Sequence, residues 1–286
     1  MSNAAVYQMV TDRIIAQMEA GIIPWLKPWN STGSAAVSRS TGKPYSLINQ
    51  MLLPRPGEYA TFKQINEAGG RVRKGEKSST VIFWKQIKVK EANPETGEPE
   101  EKLIPVLRYY QVFNLDQCEN ITPKYYREPE PTNADPIEEA ETVINAYVSR
   151  SGLKFQNDQP SNEAFYSPAR DCVVVPMLKQ YSNPAEYYST TFHELTHSTG
   201  HSSRLNRFTT GRAAAFGGTE YSKEELTAEL GSCYLMAHCG INSETTERNS
   251  AGYLQSWLKA LKNDKSMIVG AASRAEKAAA LILGEA

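Results

Sequence analysis

The sequence is poor in cysteine and histidine and has no long apolar run. Its 286 residues include 4 cysteines, which are spaced neither like metal ligands nor like a disulfide framework. The absence of any run of about eighteen apolar residues excludes a membrane-spanning helix. The N-terminal segment carries Asp12, Arg13 and Glu19 within its apolar pattern, so it is not a secretory signal. We therefore expect a cytoplasmic protein with reduced thiols.

Acidic and basic residues are unevenly divided along the chain, although the net charge is only −1. Residues 1–90 contain 13 Lys and Arg against 5 Asp and Glu, and the remainder contains 18 against 27. A net charge of +8 on the first part is typical of a surface that meets a polyanion such as nucleic acid. Ordinary surface charge is the alternative, and the charge alone does not exclude it.

A proline-rich stretch divides the chain. ITPKYYREPEPTNADP, at 121–136, has four prolines and no apolar period, a composition typical of a linker. We therefore predict an N-terminal domain at 1–125, a linker at 126–135 and a C-terminal domain at 136–286.

The predicted secondary structure places the chain in the α+β class. Apolar residues at helical spacing predict a helix from Val6 to Met18, and residues 79–89 and 105–115 are typical of a hairpin in a small antiparallel sheet. The C-terminal domain is predicted to be mostly helical, with one short hairpin. Its helices are expected at 136–149, 184–199, 223–239 and beyond 249, and its hairpin at 164–167 and 172–176.

The segment TTFHELTHSTGH, at 190–201, holds three of the four histidines. Asn183 and Pro184 are a typical helix start and Gly200 is a typical stop, so the segment is predicted to be helical. Such a helix places residues four apart on one face.

The histidine spacing predicts a metal site. His193 and His197 are four apart and can converge on one ion, and Glu194 beside them can act as a general base in metal-assisted hydrolysis. The expected metal is zinc or another divalent ion such as manganese. A short chance motif on an amphipathic helix is the alternative, but the helix signals and the clustered histidines favour the metal.

A catalytic metal needs a third protein ligand and an open position. His201 follows a predicted helix break, and three successive positions four apart span too far for one ion. Glu225 and Glu229 lie four apart on a second predicted helix and are better candidates. Glu229 is favoured, because Ser222 and Glu225 form a capping-box pattern that gives Glu225 a structural role. The alternative has Glu225 as the ligand and Glu229 orienting a histidine.

Peptide hydrolysis also needs a donor that stabilises the oxyanion. Tyr221, His201 and Arg204 are nearest in sequence, and all three are candidates. The strand CVVVP, at 172–176, is expected to offer an edge to an extended peptide.

Aromatic and basic residues are interspersed in the N-terminal domain. In GIIPWLKPWN, at 21–30, two tryptophans flank a lysine and a proline, and RVRKGEKSSTVIFWK, at 71–85, joins a basic turn to a tryptophan. Bases stack on aromatic rings while cations follow phosphates, so this composition favours single-stranded DNA as a partner. The candidates for contact with DNA are Trp25, Lys27, Trp29, Lys43, Tyr45, Arg71, Arg73, Lys74, Lys77, Trp84 and Lys85, with Tyr109 and Tyr110 as an extension.

The alternative for each tryptophan is a place in the core of a domain that has few leucines and phenylalanines. Charge and aromatics together favour nucleic acid for the domain as a whole. No helix-turn-helix, zinc-finger or basic-zipper pattern is present, so sequence-specific recognition of duplex DNA is not expected.

Several segments, in the same order, resemble the ArdC-type antirestriction proteins of conjugative plasmids, and the N-terminal regions of TraC-type plasmid primases look similar. The resemblance covers nearly the whole chain and includes an intact HExxH core. The segments that carry it are GIIPWLKPWN, VRKGEKSSTVIFWK, YYQVFN, HELTHSTGHSSRLNR and EYSKEELTAELG.

This resemblance implies an N-terminal domain that binds single-stranded DNA without sequence preference and a C-terminal zincin-like metallopeptidase domain. It also implies protection of incoming plasmid DNA from the recipient's restriction enzymes, one of which, or another host protein, is a further expected partner. By position, His193, Glu194 and His197 match the metal-and-base motif, and Glu225 and Glu229 match the downstream acidic pair.

Two other functions stay open. One is a cytoplasmic zinc metallopeptidase whose main role is to cleave a host protein, and the other is a DNA-binding module with a vestigial metal site. Loss of function in Glu194→Gln would favour catalysis. Loss on changing Trp25, Trp29 or the pair Arg71 and Arg73 would favour protection by occupancy of the DNA.

Overall fold

The structure, a computed structural model, describes residues 2–26, 35–92, 99–127, 136–181, 183–208, 219–241 and 251–285. The helices in these ranges are α1 (Asn3–Glu19), α2 (Leu47–Leu52), α3 (Phe62–Glu67), α4 (Pro136–Ser151), α5 (Pro184–Ser198), α6 (Thr219–His238), α7 (Ala251–Asn263) and α8 (Met267–Leu283). The strands are β1 (Ala36–Ser38), β2 (Gly57–Thr61), β3 (Arg71–Val72), β4 (Ser79–Ala92), β5 (Pro99–Asn114), β6 (Cys118–Glu119), β7 (Lys154–Gln156), β8 (Phe165–Ser167) and β9 (Cys172–Val174). The predicted α+β class is confirmed.

Helix α1 forms where the apolar period predicts it. Ser2 caps the first turn, with its Oγ accepting from the Ala5 amide at 3.3 Å, and Gly21 adopts a φ of +80° just past the end. The apolar stripe is buried against α7 and α8. Its members are Val6, Val10, Ile14, Ile15 and Met18.

The N-terminal sheet has the strand order β1-β2-β5-β4. Strands β4 and β5 form the predicted antiparallel hairpin, which extends as far as Ala92 opposite Pro99. Strand β1 is parallel to β2, with Ala36 opposite Gly57. The predicted antiparallel pairing holds for β2–β5 and β4–β5, but the sheet as a whole is mixed, because the connection through α2 brings β2 parallel to β1.

The C-terminal part contains a three-stranded sheet of order β7-β9-β8, whose β8 and β9 pack on α5. Strand β9 is parallel to β7 and antiparallel to β8. The predicted strand at 172–176 is thus the central one, and the edge expected there is wrong. Strand β9 pairs on both sides, which leaves β7 and β8 as the two edges of this sheet.

The four cysteines, predicted to be reduced thiols, are unpaired and buried. Burial raises the pKa of the Cys118 thiol, and it raises that of Cys239 to about 12, so these thiols stay protonated. Within the described ranges, no helix is both long and apolar enough to cross a membrane.

Residues from both predicted domains contribute to one hydrophobic core. Side chains of α1 and α2 pack there with those of α6, α7 and α8. Across this core, Thr11 Oγ1 on α1 donates to the Lys265 carbonyl oxygen at 2.6 Å. Most of the linker predicted at 126–135 lies outside the described residues, so the domain boundary stays a prediction.

A buried carboxylate fixes the chain that follows the N-terminal sheet. Glu58, on β2, is 1 % exposed, and its Oε2 accepts from the amides of Lys124, Tyr125 and Tyr126 at 2.7, 2.6 and 3.1 Å. Arg39 donates to its Oε1 at 2.6 Å. Burial by itself would raise the pKa of Glu58, but these hydrogen bonds outweigh it and hold the pKa below its usual value.

Glu58→Gln should lower the free energy of unfolding by about 3 kcal/mol near neutral pH, because the amides and Arg39 lose a charged acceptor. Folding lowers the pKa of Glu58, so its stabilisation is present above the usual value of 4.5 and is lost as the pH falls through the folded-state value. Urea unfolding should therefore show a difference between wild type and variant that shrinks in acid.

The control is Glu67→Gln, which removes an exposed ion pair with Lys63 and should change stability by less than about 0.5 kcal/mol. Equal losses in the two variants, or a Glu58 effect independent of pH, would contradict this role of Glu58.

Candidate metal centre and nucleic-acid groove

Helix α5 brings two histidine side chains together. It begins as predicted, with the Asn183 side chain accepting from the Ala185 amide at 2.9 Å and Pro184 in the first turn. His193 and His197 lie one turn apart, and their Nε2 atoms approach to 3.1 Å. Two ring nitrogens at this distance can share one ion.

Glu225 on α6 completes the group. Its carboxylate oxygens lie 3.5 Å from Nε2 of His193 and 3.5 Å from Nε2 of His197. A zinc ion with four ligands at about 2.0–2.2 Å holds neighbouring ligand atoms roughly 3.3 Å apart, so the spacing suits a divalent metal. Within the described part of the chain, these three residues are the His, Cys, Asp or Glu side chains placed to share an ion.

A close contact between α5 and α6 sets this spacing. Gly231 lies against Thr196, and a Cβ atom at position 231 would approach the Thr196 methyl carbon to 2.6 Å. Ser232 Oγ also donates to the Ser189 carbonyl oxygen at 2.7 Å. A larger residue at 231 would push α6, and Glu225 with it, away from the histidines. The sequence signal was a glycine inside a predicted helix, where it otherwise costs stability.

The structure reverses the order in which the sequence ranks the two glutamates. Glu229 is 1 % exposed, and its Oε2 lies 3.9 Å from Nδ1 of His193 rather than from Nε2. The preference for Glu229 rests on a capping box at Ser222 and Glu225. That interpretation is wrong, because α6 begins at Thr219 and both residues lie inside the helix.

The three donors open into a pocket of about 380 Å³. Glu194 lines it beside the histidines and is 8 % exposed, a position that suits a general base. Tyr221 also lines the pocket. Burial, followed by the charges of Glu225 and Glu194, raises the pKa of Tyr221 to about 12, so its hydroxyl is a hydrogen-bond donor at neutral pH.

The other two candidates for oxyanion stabilisation, His201 and Arg204, do not line this pocket. His201 Nδ1 lies 2.8 Å from Ser203 Oγ. Arg204 donates to the Ser198 carbonyl oxygen at 2.8 Å and forms an ion pair with Asp171. Both side chains hold the loop after α5.

Carboxylates dominate the charge of the site. Burial alone would lower the pKa of His197, but hydrogen bonds with Glu224 and Glu225 and the charge of Glu194 raise it to about 10. Burial alone would raise the pKa of Glu225, but hydrogen bonds with His193 and His197 bring it well below its usual range. Glu224 is absent from the sequence-based candidates. Burial alone would raise its pKa, but hydrogen bonds with His197 and Arg207 lower it. This field favours a cation.

The N-terminal sheet carries an open groove of about 750 Å³. Phe83 and Tyr110 line it with their ring centroids 5.9 Å apart, and Tyr45 lies 5.9 Å from Phe83. Lys63 and Lys85 also line the groove. Proteins that bind single-stranded nucleic acid commonly combine aromatic rings with lysines in this way.

Strand alternation divides the exposed aromatics of the hairpin between two faces. Phe83 and Tyr110 share the groove face, whereas Tyr109 points to the opposite face and does not extend the groove as expected. Trp84, about half exposed, borders the groove and contacts Tyr7 on α1 edge-on at 6.4 Å. Phe83 and Lys63 line the groove but are not among the residues that composition singles out.

Two predicted stacking residues do not present their rings to solvent. Trp25 is 2 % exposed and packs in the core with α1, α2 and α6, so its assignment to the DNA surface is wrong. Tyr45 is 7 % exposed and contributes to the groove from below. Lys27 and Trp29 lie outside the described residues.

The basic turn after β3 is exposed but has acidic neighbours. Arg71 lies 4.0 Å from Glu119, and Arg73 lies 3.1 Å from Glu76. These arginines do not line the groove, so their contact with DNA stays a prediction. The same holds for three exposed lysines, Lys43, Lys74 and Lys77.

Two family models match the chain. The model for the N-terminal domain of the anti-restriction factor ArdC matches residues 4–113. The model for a zincin-like metallopeptidase matches residues 141–274. The first match contains the aromatic groove and the second contains the metal group.

The chain is also similar to solved structures of the antirestriction ArdC protein from the R388 plasmid. The metal-free form is 38 % identical, with a TM-score of 0.73, and the match covers 98 % of this chain and 97 % of that one. The Mn(II)-bound form is 37 % identical, with a TM-score of 0.72 and the same coverage.

Among curated relatives, two DNA primases TraC of Escherichia coli are 33 % and 34 % identical over 95 % of the chain. The chain spans only 19 % and 26 % of their lengths. The uncharacterized protein y4eC of Sinorhizobium fredii is 32 % identical over 96 % of this chain and 90 % of its own length.

Glu225→Gln should weaken divalent-metal binding more than Glu229→Gln. We expect a loss greater than about 100-fold for Glu225→Gln, and a smaller loss, at most about 10- to 100-fold, for Glu229→Gln, which changes a carboxylate 3.9 Å from Nδ1 of His193. Calorimetric titration of both variants with Mn(II) and Zn(II) gives the order. A greater loss in Glu229→Gln would contradict the placement of Glu225 between the histidines.

Proposed function

The chain belongs to the ArdC family of antirestriction proteins, and we propose that it binds single-stranded DNA without sequence preference and so protects incoming conjugative plasmid DNA from host restriction. Its place of action is the cytoplasm of the recipient cell, where that DNA arrives. The aromatic groove on β4 and β5 is the observation that carries this proposal. Primer synthesis is not proposed, since the chain spans a small share of the TraC primases.

The composition of the groove supports single-stranded DNA as its ligand. Phe83 and Tyr110 are each 42 % exposed, so unstacked bases can reach their side chains. Lys85 lies on the same face of β4, and Arg108 lies opposite Phe83 on β5, so cations flank the rings where phosphates would pass. Glu67 also lines the groove, and its negative charge is offset by an ion pair with Lys63.

We propose further that His193, His197 and Glu225 hold a divalent metal, either zinc or manganese. The mixed nitrogen and oxygen donor set and the Mn(II)-bound form of the R388 relative support this. The ion would supply Lewis acidity towards water and a peptide carbonyl. Glu194 is placed to accept a proton from water, and Tyr221 to donate a hydrogen bond to a carbonyl oxygen as negative charge develops.

Cleavage of a host protein, such as a restriction enzyme, is the second candidate function. It is favoured by the pocket beside Glu194 and by the edge strand β8, whose Phe165 and Tyr166 line that pocket. An extended peptide can pair with such an edge. In a third candidate function the metal group is structural, and the protein protects the DNA by binding it in the groove, without catalysis.

Tyr110→Ala should weaken binding of single-stranded DNA by about fivefold or more, because the loss of one stacking ring costs roughly 1–3 kcal/mol. Tyr109→Ala is the matched control: the two tyrosines adjoin on β5 and are 42 % and 40 % exposed, but they point to opposite faces. Fluorescence anisotropy with a labelled oligonucleotide over a range of salt concentrations compares them. Equal affinities of the two variants would rule out the groove as the binding surface.

Glu194→Gln tests whether catalysis is needed. The substitution conserves size, so metal content and DNA affinity should match the wild type. If hydrolysis underlies protection, transfer of plasmid DNA into a restricting recipient should fall by about 100-fold or more, the usual contribution of a general base. If occupancy protects, Glu194→Gln should behave as wild type and Tyr110→Ala should fail. Transfer into a recipient without restriction is the control, and full protection by both variants would contradict the proposed function.

A further inference from the structure

The second histidine of the metal group is held from behind by a carboxylate. His197 directs its Nε2 towards Glu225, and its Nδ1 lies 3.3 Å from Oε1 of Glu224. Arg207 grips that carboxylate with two nitrogens, donating from Nη2 to Oε1 at 2.6 Å and from Nε to Oε2 at 3.0 Å. Such a two-point contact fixes the plane of the carboxylate as well as its distance.

The guanidinium of Arg207 is itself locked in place. Its Nη1 donates to Thr199 Oγ1 at 2.6 Å, and its Nη2 donates to the Thr196 carbonyl oxygen at 2.9 Å. The side chain is 9 % exposed. Arg207 therefore connects the end of α5 to α6 through a rigid fork that lysine could not reproduce.

We propose that Glu224 and Arg207 are positioning residues for the metal centre. Arg207 fixes Glu224, and Glu224 holds the Nδ1 side of His197 so that Nε2 faces the ion. A carboxylate on the outer nitrogen of a ligating imidazole fixes the ring and makes it a better ligand. The guanidinium also offsets the charge of a partly buried carboxylate that is not itself a ligand. This inference rests on the proposed metal site of His193, His197 and Glu225.

The proposal gives a role to the segment HSSRLNR, which follows the histidine helix. The Arg207 amide donates to the Gly200 carbonyl oxygen at 2.9 Å, and the Phe208 ring packs so closely that a Cβ atom at 200 would meet it at 2.7 Å. Arg204, in the same segment, pairs instead with Asp171. The segment thus contains two partly buried arginines: Arg207 contacts Glu224 behind the metal group, and Arg204 contacts Asp171.

Titration of the purified proteins with Co(II) and Mn(II) tests the proposal. Glu224→Ala should bind both ions about 10- to 100-fold more weakly than wild type and should alter the visible absorption of the Co(II) form. Arg207→Met should show a smaller loss, since Glu224 is retained. Arg204→Met is the matched control and should keep wild-type metal affinity and absorption, although it also breaks a buried ion pair.

Thermal unfolding of the metal-free proteins separates stability from metal affinity. Because Glu224→Ala leaves Arg207 without its carboxylate, the double variant Glu224→Ala/Arg207→Met removes both charges together and should show the same loss of metal affinity. Glu224→Gln keeps an acceptor oxygen for His197 and should recover part of the affinity.

Wild-type metal affinity in Glu224→Ala and in the double variant would overturn the positioning role and leave the metal site standing. A loss in Arg204→Met equal to that in Glu224→Ala would also overturn it, since stability of the loop would then be the cause. Failure of the wild type to bind either ion would overturn the metal site itself, and this inference with it.

Discussion

The contact between α5 and α6 at Gly231 is the constraint on which the metal centre depends. Helix α5 supplies the two imidazoles, and among the described residues α6 supplies three carboxylates that lie within 4 Å of their ring nitrogens, those of Glu224, Glu225 and Glu229. Without a side chain at 231, the two helices approach until Thr196 fills the space. That approach brings Glu225 to the Nε2 atoms, and Glu224 and Glu229 to the Nδ1 atoms, so one packing contact positions both the ligand and the groups behind the histidines.

The opposite side of α6 belongs to the core that joins the two halves of the chain. Leu226 and Leu230 are fully buried there with residues of α1, while Trp25 packs against the same helix. Glu225, which approaches the histidines, is directly followed by Leu226, which packs in the core with residues of α1. The groove and the metal group are therefore built on a common frame, although the two surfaces present different chemistry: stacking rings with lysines in one, and a buried cluster of carboxylates with imidazoles in the other.

Local signals predicted local structure well. The cap at Asn183 and the spacing of His193 and His197 predicted α5 and its histidine pair, because a helix fixes residues four apart by geometry alone. The choice between Glu225 and Glu229 failed, because it depended on where α6 begins, and tertiary packing overrides a short capping pattern. The burial of Trp25 could not be predicted either, because composition does not distinguish a tryptophan that stacks on bases from one that packs in the core. The parallel pairing of β1 with β2 and the Glu224–Arg207 contact join residues that are not neighbours in sequence. Such contacts produce no periodic pattern of apolar residues from which they could be predicted.

We propose that His193, His197 and Glu225 share one divalent ion at the α5–α6 contact. Anomalous diffraction from crystals of the wild type grown with Mn(II), recorded on both sides of the manganese absorption edge, locates the ion directly. We expect a single strong peak within bonding distance of both Nε2 atoms and the Glu225 carboxylate, with Glu229 outside that distance. A peak on Glu229 in place of Glu225, or none between the two histidines, would contradict it.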